Sequence, residues 1–232
     1  MTANRGRGQR AGLTRQAILQ AAVRLADQEG LTALSMRRIA AELGVEAMTL
    51  YHHVPNKNAL LDGMVEQLIS ETAPPPGPSS WQESLRAYAH AFLAALSAHP
   101  NLVALVASRP AMTPHNLRTM EAMLESLRSA GFELTRAYDV LHSLAAFVLG
   151  HAAARPGPMP DCPPGRSRGL TIDAYPLFFA AVAKSDARSR FDFALESLLH
   201  GFEAARTVPP SSGPQAAVEV GSGGQQTVTG PG

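Results

Sequence analysis

The sequence predicts an all-α fold, and three observations predict it. Alanine is abundant while β-branched residues are sparse, so intrinsic propensity favours helix. Apolar residues recur at spacings of three and four in one segment after another, and no segment alternates with a period of two. Glycine and proline fall between these segments, where helices stop and turns begin. The 232 residues leave room for one large domain or two small ones, and 45% apolar with 17% charged residues is a globular composition. No apolar run approaches the ~18–20 residues that span a bilayer, and Met1 to Gly12 lacks the hydrophobic core of a signal peptide. A cytoplasmic location without membrane contact is therefore expected. The lone Cys162 leaves no intrachain disulfide and no cysteine-based zinc site, and in its Pro-rich loop it reads as an incidental thiol.

Each element follows in order. Residues 1–12, polar, basic and glycine-rich, read as a flexible arm. Thr14 is an N-cap, Ile18, Ala22 and Leu25 follow at helical spacing, and Gly30 stops the helix. Ser35 caps a short second helix with Ile39 and Leu43 on one face, ending at Gly44. A third helix runs from near Glu46 to about His53, and a fourth from about Lys57 to Ser70. Together residues 13–71 form an N-terminal domain, and residues 72–80 form a Pro-rich linker. Residues 81–206 form a C-terminal domain with helices over about Ser80 to Ala98, Asn101 to Ser108, Thr113 to Ala130 and Leu134 to Ala154. A long loop from Arg155 to Gly169 separates these from helices over about Thr171 to Ala183 and Ser185 to Arg206. Residues 207–232 lack an apolar period and read as disordered.

Charge is distributed unevenly. Residues 1–57 carry a formal charge of +4 and the remainder −3, although the chain as a whole is +1. A basic end on a mildly acidic body suits a polyanionic partner for that end. Position sharpens this. In Leu34 to Leu61, two short helices meet at Gly44-Val45, with Ile39, Leu43, Val45, Leu50 and Val54 turned inward and the small Ala40 allowing close approach. This is helix-turn-helix spacing, in which the second helix lies in the DNA major groove. Glu46, Ala47, Thr49, Tyr51, His52 and His53 are then left facing outward, with Met48 at the edge. Hydroxyl, aromatic, imidazole and small groups of this kind suit contacts to phosphates and base edges.

Residues 11–71 resemble the DNA-binding domain of the TetR family of bacterial regulators. The resemblance rests on Gly30-Leu31, Ser35-Met36-Arg37-Arg38-Ile39-Ala40, Leu43-Gly44-Val45, Thr49-Leu50-Tyr51-His52-His53-Val54 and Asn56-Lys57-x-x-Leu60-Leu61. It implies that Tyr51, His53 and Lys57 grip phosphates, that Thr49 touches phosphate or base, and that Arg37 reads a base, guanine being its natural bidentate partner. Lys57 would add its charge to the free amides of a helix start. At Ala47 and Met48 the tetracycline repressor carries Gln and Pro, so apolar contact replaces polar readout and a different operator is expected.

The C-terminal domain resembles the tetracycline-repressor branch through Ser80 to Arg86, Ser108-Arg109-Pro110, Leu127 to Phe132 and Phe147 to Gly150. The resemblance implies a homodimeric repressor on a pseudo-palindromic operator, released when a small-molecule effector binds. The departures are as informative. Tyr88, Leu105 and Ala154 replace polar or metal-binding groups, only Phe92 is retained, and Glu71-Thr72-Ala73 lacks the branch's histidine. Magnesium–tetracycline is therefore not the expected ligand, and no cofactor or metal is expected. A candidate pocket comprises Tyr88, Phe92, Leu105, Met120, Met123, His142, Ala146 and Phe147. The dimer is expected to pair Leu134–Ala154 and Ser185–Arg206 through residues such as Leu141, Leu144, Val148, Phe191, Leu195, Leu198, Leu199 and Phe202, some of which must serve the subunit's own core. Control by a protein partner or by expression level is the alternative. An enzyme is not expected: His52 and His53 are adjacent and point apart, and neither a metal-binding histidine pair nor a Gly-rich phosphate loop nor a nucleophile elbow occurs.

Overall fold

Hydroxyl, amide and carboxylate caps begin most of the described α-helices. Thr14 Oγ1 accepts the amide of Ala17 at 3.1 Å, and α1 runs Arg15–Glu29 until Gly30, at φ 82°, ends it. The computed structural model describes residues 13–70, 72, 80–109, 112–154, 173–184 and 186–206. The predicted arm, most of the linker, the loop carrying Cys162 and the predicted disordered tail lie outside these residues. A 3₁₀ turn over Leu31–Ala33, not foreseen from sequence, leads to Ser35, which caps α2 (Met36–Glu42). The five-residue α3 (Ala47–Tyr51) follows, and then α4 (Lys57–Ser70), capped by Asn56 Oδ1 on the amide of Ala59 at 2.9 Å.

The C-terminal domain begins with α5 (Trp81–Ala98), held by a full capping box between Ser80 and Glu83. A 3₁₀ turn at Pro100–Leu102 precedes α6 (Val103–Ser108); it takes in Asn101 and Leu102, which the sequence reads as the start of that helix. Then come α7 (Pro114–Ser129), α8 (Leu134–Ala153), α9 (Pro176–Lys184) and α10 (Ala187–Ala205). The predicted start of α9 shifts to Pro176, whose fixed φ and missing amide suit a first helical position. All described elements are helical, as the sequence requires.

One apolar core runs through both domains. Ile18, Leu25, Ile39, Leu50, Leu60 and Met64 fill it at the N-terminal end, and Leu85, Phe92, Leu96, Leu127, Leu144 and Leu195 fill the C-terminal end. Gly63 lets α4 approach α1 closely, because a Cβ there would lie 2.7 Å from Leu19 Cδ2. α5 is the central helix, packed against α4, α7, α8 and α10. A bidentate pair from Arg86 to Glu196, at 2.6 and 2.8 Å, links it to α10 and lowers the Glu196 pKa.

Polar groups tie the two domains. His99 Nδ1 lies 2.8 Å from Asp27 Oδ2, and Asn101 Nδ2 donates to the carbonyls of Ala26 and Asp27 at the end of α1. Arg109 forks onto α4, donating to Asp62 Oδ1 at 2.6 Å and Asn58 Oδ1 at 3.1 Å. In contrast, α9 buries none of its residues in the chain, leaving Leu177, Phe178 and Val182 exposed. Among the described residues no single helix is long and apolar enough to cross a membrane.

Leu50 is the sole fully buried side chain of α3. Leu50→Ala is expected to lower stability by about 2–5 kcal/mol, the usual cost of truncating a buried leucine. A fall in the urea midpoint at unchanged m-value measures it.

Candidate nucleic-acid interface

The turn between α2 and α3 is built on Gly44, whose φ of 65° an L side chain rarely adopts. Val45 N donates to Ala40 O at 3.0 Å and Gly44 N to Ala41 O at 3.2 Å, the Schellman pattern that satisfies the last carbonyls of α2. This turn sets α3 across α2. Of the predicted inward positions, Ile39, Leu50 and Val54 are buried, while Leu43 and Val45 are half-buried against the same core.

With Leu50 anchored, the rest of α3 has little choice of direction. Met48 is 70% exposed and Tyr51 42% exposed, whereas Ala47 and Thr49 are half-buried at the edges of that face. His52 and His53 are exposed but lie in the turn after the helix rather than within it. The reason is local: Pro55 disfavours helical geometry at Val54, and the amides of His53 and Val54 both close back on Leu50 O, at 2.9 and 2.8 Å. Lys57 is exposed at the first position of α4, beside the unspent amides of that helix end.

Adjacent arginines on α2 have different surroundings. Arg38 donates to Glu29 and lies 3.7 Å from Glu42, and the hydrogen bond to Glu29 raises its pKa further above the ordinary guanidinium value. Arg37 is exposed and, among the described residues, has no carboxylate partner; the same holds for Lys57. One arginine thus pins α2 to the end of α1, and its neighbour remains available to a ligand. The Arg38–Glu42 spacing was visible in sequence, but the Glu29 contact crosses the turn and was not. The fork from Arg109 was also missed, because its partners lie 47 and 51 residues away in sequence.

The predicted pocket residues do not all gather at one place. Phe92, Leu105 and Met123 are buried, and the ring of half-buried Tyr88 lies 5.8 Å from that of Phe92. Burial pushes the Tyr88 phenol up to about 12, so it remains a neutral donor. Met120 is 37% exposed on α7, and Phe147 turns toward α10, stacking on Phe191 at 5.1 Å. His142 and Ala146 are exposed on the outer face of α8.

Comparison with known proteins agrees with this architecture. Residues 18–64 match the family model of bacterial regulatory proteins of the tetR family, and residues 73–206 match the tetracyclin repressor-like C-terminal domain. The chain belongs to the TetR family. It is 38% identical over 151 residues to the HTH-type transcriptional repressor DrrR1 of Streptomyces coeruleorubidus, a match covering 64% of this chain and 56% of that protein. It is 33% identical to the class E tetracycline repressor protein of Escherichia coli, over 81% of this chain and 89% of that one. Among solved structures, ActR of Streptomyces coelicolor in complex with actinorhodin superposes with a TM-score of 0.69 at 29% identity, covering 85% of this chain and 100% of ActR. As a TetR-family transcriptional regulator, the chain carries its helix-turn-helix on α2 and α3.

Three substitutions distinguish the roles of the basic side chains of this TetR-family head. Lys57→Gln should weaken binding to all sequences alike and reduce the salt slope of log K by about 1. Arg37→Ala should cost about 1–3 kcal/mol and relax preference at one base pair. Arg38→Ala should leave base preference unaltered. Fluorescence anisotropy on an operator library, titrated with salt, reads all three.

Proposed function

We propose that this TetR-family regulator is a homodimeric repressor that leaves a pseudo-palindromic operator when a small molecule binds its C-terminal domain. It would act in the cytoplasm on the nucleoid. Arg37, Ala47, Met48 and Thr49 are assigned to base edges and nearby phosphates, and Tyr51, His52, His53 and Lys57 to phosphates. The observation that carries the reading is the fork from Arg109 to Asp62 and Asn58. It joins the end of α6 to the helix that Lys57 opens, so a shift in the ligand domain is passed to the reading head. ActR with bound actinorhodin supports a ligand-responsive C-terminal domain. Release is a population shift, in which effector favours the form that cannot span both half-sites.

The dimer is assigned to the outer faces of α8 and α10. Most of the residues that the sequence suggested for it, Leu141, Leu144, Val148, Phe191, Leu195 and Leu199, are buried in the subunit's own core, while Leu198 and Phe202 are half-buried. The exposed residues are instead Tyr138, Ser143 and Ala146 on α8 and Phe193, Ser197 and Gly201 on α10. Small residues there allow two helix pairs to approach closely, and Phe193 at 77% exposure offers apolar area to a partner. The uncovered apolar side chains of α9 extend the same demand for burial.

Two measurements test the proposal. Ala146→Glu combined with Ser197→Glu should yield a monomer in light scattering and lose about 10²–10⁴ of operator affinity, the usual contribution of simultaneous two-site binding. A thermal-shift and operator-release screen of metabolites should find compounds that stabilise the dimer and free the DNA. If none does either, control lies with a protein partner or with expression level.

A further inference from the structure

A cavity lies on the other side of α5 from Tyr88 and Phe92. It measures about 910 Å³ and is walled by the second half of α5, the end of α8 and the start of α10. That volume is within the ~300–1,000 Å³ usual for small-molecule sites. Its apolar surface comes from Leu93, Ala94, Ala154 and Ala187, and Phe191, only 1% exposed, backs the wall behind them. The Phe191 ring is met edge-on by two imidazoles, His90 at 5.3 Å and His151 at 5.0 Å.

The rim is cationic. Arg188 opens onto the cavity and, among the described residues, has no carboxylate partner. Arg190 lines the same wall, although it has another interaction. Among the described residues, Asp192 lies 3.4 Å from His90 Nε2, and Asp186 caps α10 through the amide of Ser189. A smooth apolar wall of alanines and Leu93 beside a guanidinium selects a flat hydrophobic molecule that ends in an anion.

We propose that this cavity is a binding site for a fused-ring aromatic carboxylate, whose rings lie against Leu93, Ala94 and Ala187 and whose carboxylate pairs with Arg188. The site is coupled to the DNA-reading head by the end of α5. Ser97 is part of its wall, and His99 and Asn101, two and four residues on, are the groups that hold the carboxylate and carbonyls at the end of α1. A ligand that displaces the last turn of α5 therefore acts on α1 without passing through Arg109. The coupling rests on the ligand-responsive reading above; the binding site does not.

2-Naphthoate and its neutral analogue 2-naphthalenemethanol, titrated by calorimetry into the full-length protein, test the site. One naphthoate should bind per chain and lower operator affinity several-fold. Arg188→Gln should weaken naphthoate at least tenfold without changing the binding of the alcohol. Ala94→Trp, which projects an indole into the cavity where the rings would lie, should weaken both at least tenfold; Arg188→Gln changes an exposed side chain, so its result does not depend on whether the tryptophan is tolerated. No saturable naphthoate binding at millimolar concentration, or binding indifferent to both substitutions, overturns the site. Release of operator by other metabolites in the presence of that negative result leaves the ligand-responsive reading intact. Naphthoate bound at the cavity with operator affinity unchanged by any compound supports the site and overturns the coupling.

Discussion

A helix of five residues has no stability of its own in water, since nucleation costs more than so few hydrogen bonds return. The second helix of the helix-turn-helix is that short. Its geometry therefore depends on the burial of Leu50 among Ile18, Leu25, Ile39, Val54 and Leu60, and on the Gly44 turn that aims it there. The exposed side chains of α3 are positioned by this one anchored side chain. The arrangement also separates two requirements: the inner side of α3 needs apolar residues of the right shape, while the outer side is free to carry whatever a particular operator demands. Ala47 and Met48 can differ from relatives without disturbing the scaffold, because neither is a fully buried residue.

The head is not free of the body. Apolar packing between the domains would by itself allow small sliding, but His99, Asn101 and Arg109 add directional contacts at two separate points, the end of α1 and the start of α4. Two points restrict rotation where one would act as a pivot. Both are half-exposed polar contacts, modest in energy, which suits an element that must change position at small cost. α5 connects them to the interior, since it packs against four other helices and its end leads directly into the turn that carries His99 and Asn101.

The outer face of the C-terminal domain is unlike the rest of the surface. Phe193 and Tyr138 lie among small residues, and α9 exposes Leu177 and Phe178. Apolar side chains of this size in water are costly for an isolated chain, and the cost is removed when a second copy covers them. In the proposed homodimer, two-site DNA binding would draw on the same physical requirement, the burial of a surface that one subunit cannot cover.

Helix positions were largely legible in the sequence, because caps such as Thr14, Ser35, Ser80 and Thr113 and stops such as Gly30 and Gly131 act through nearest-neighbour hydrogen bonds. The helix-turn-helix was legible for the same reason: its signal is an apolar spacing and one left-handed glycine, both local. Three features were not legible. The roles of Arg37 and Arg38 differ through a contact to Glu29 across a turn, the dimer candidates Leu144 and Leu195 proved to be subunit core, and Phe147 turned away from Tyr88 and Phe92 toward Phe191. On an amphipathic helix, sequence shows which residues share a face, but not whether that face meets the same chain, a second chain or a ligand. By itself, then, this sequence determined most of the helices, the helix-turn-helix and the family, since those depend on interactions within a few positions. Only the tertiary structure decided which apolar faces became core, where a cavity remained and how the head is tied to the body, because these depend on contacts between residues about fifty to a hundred positions apart.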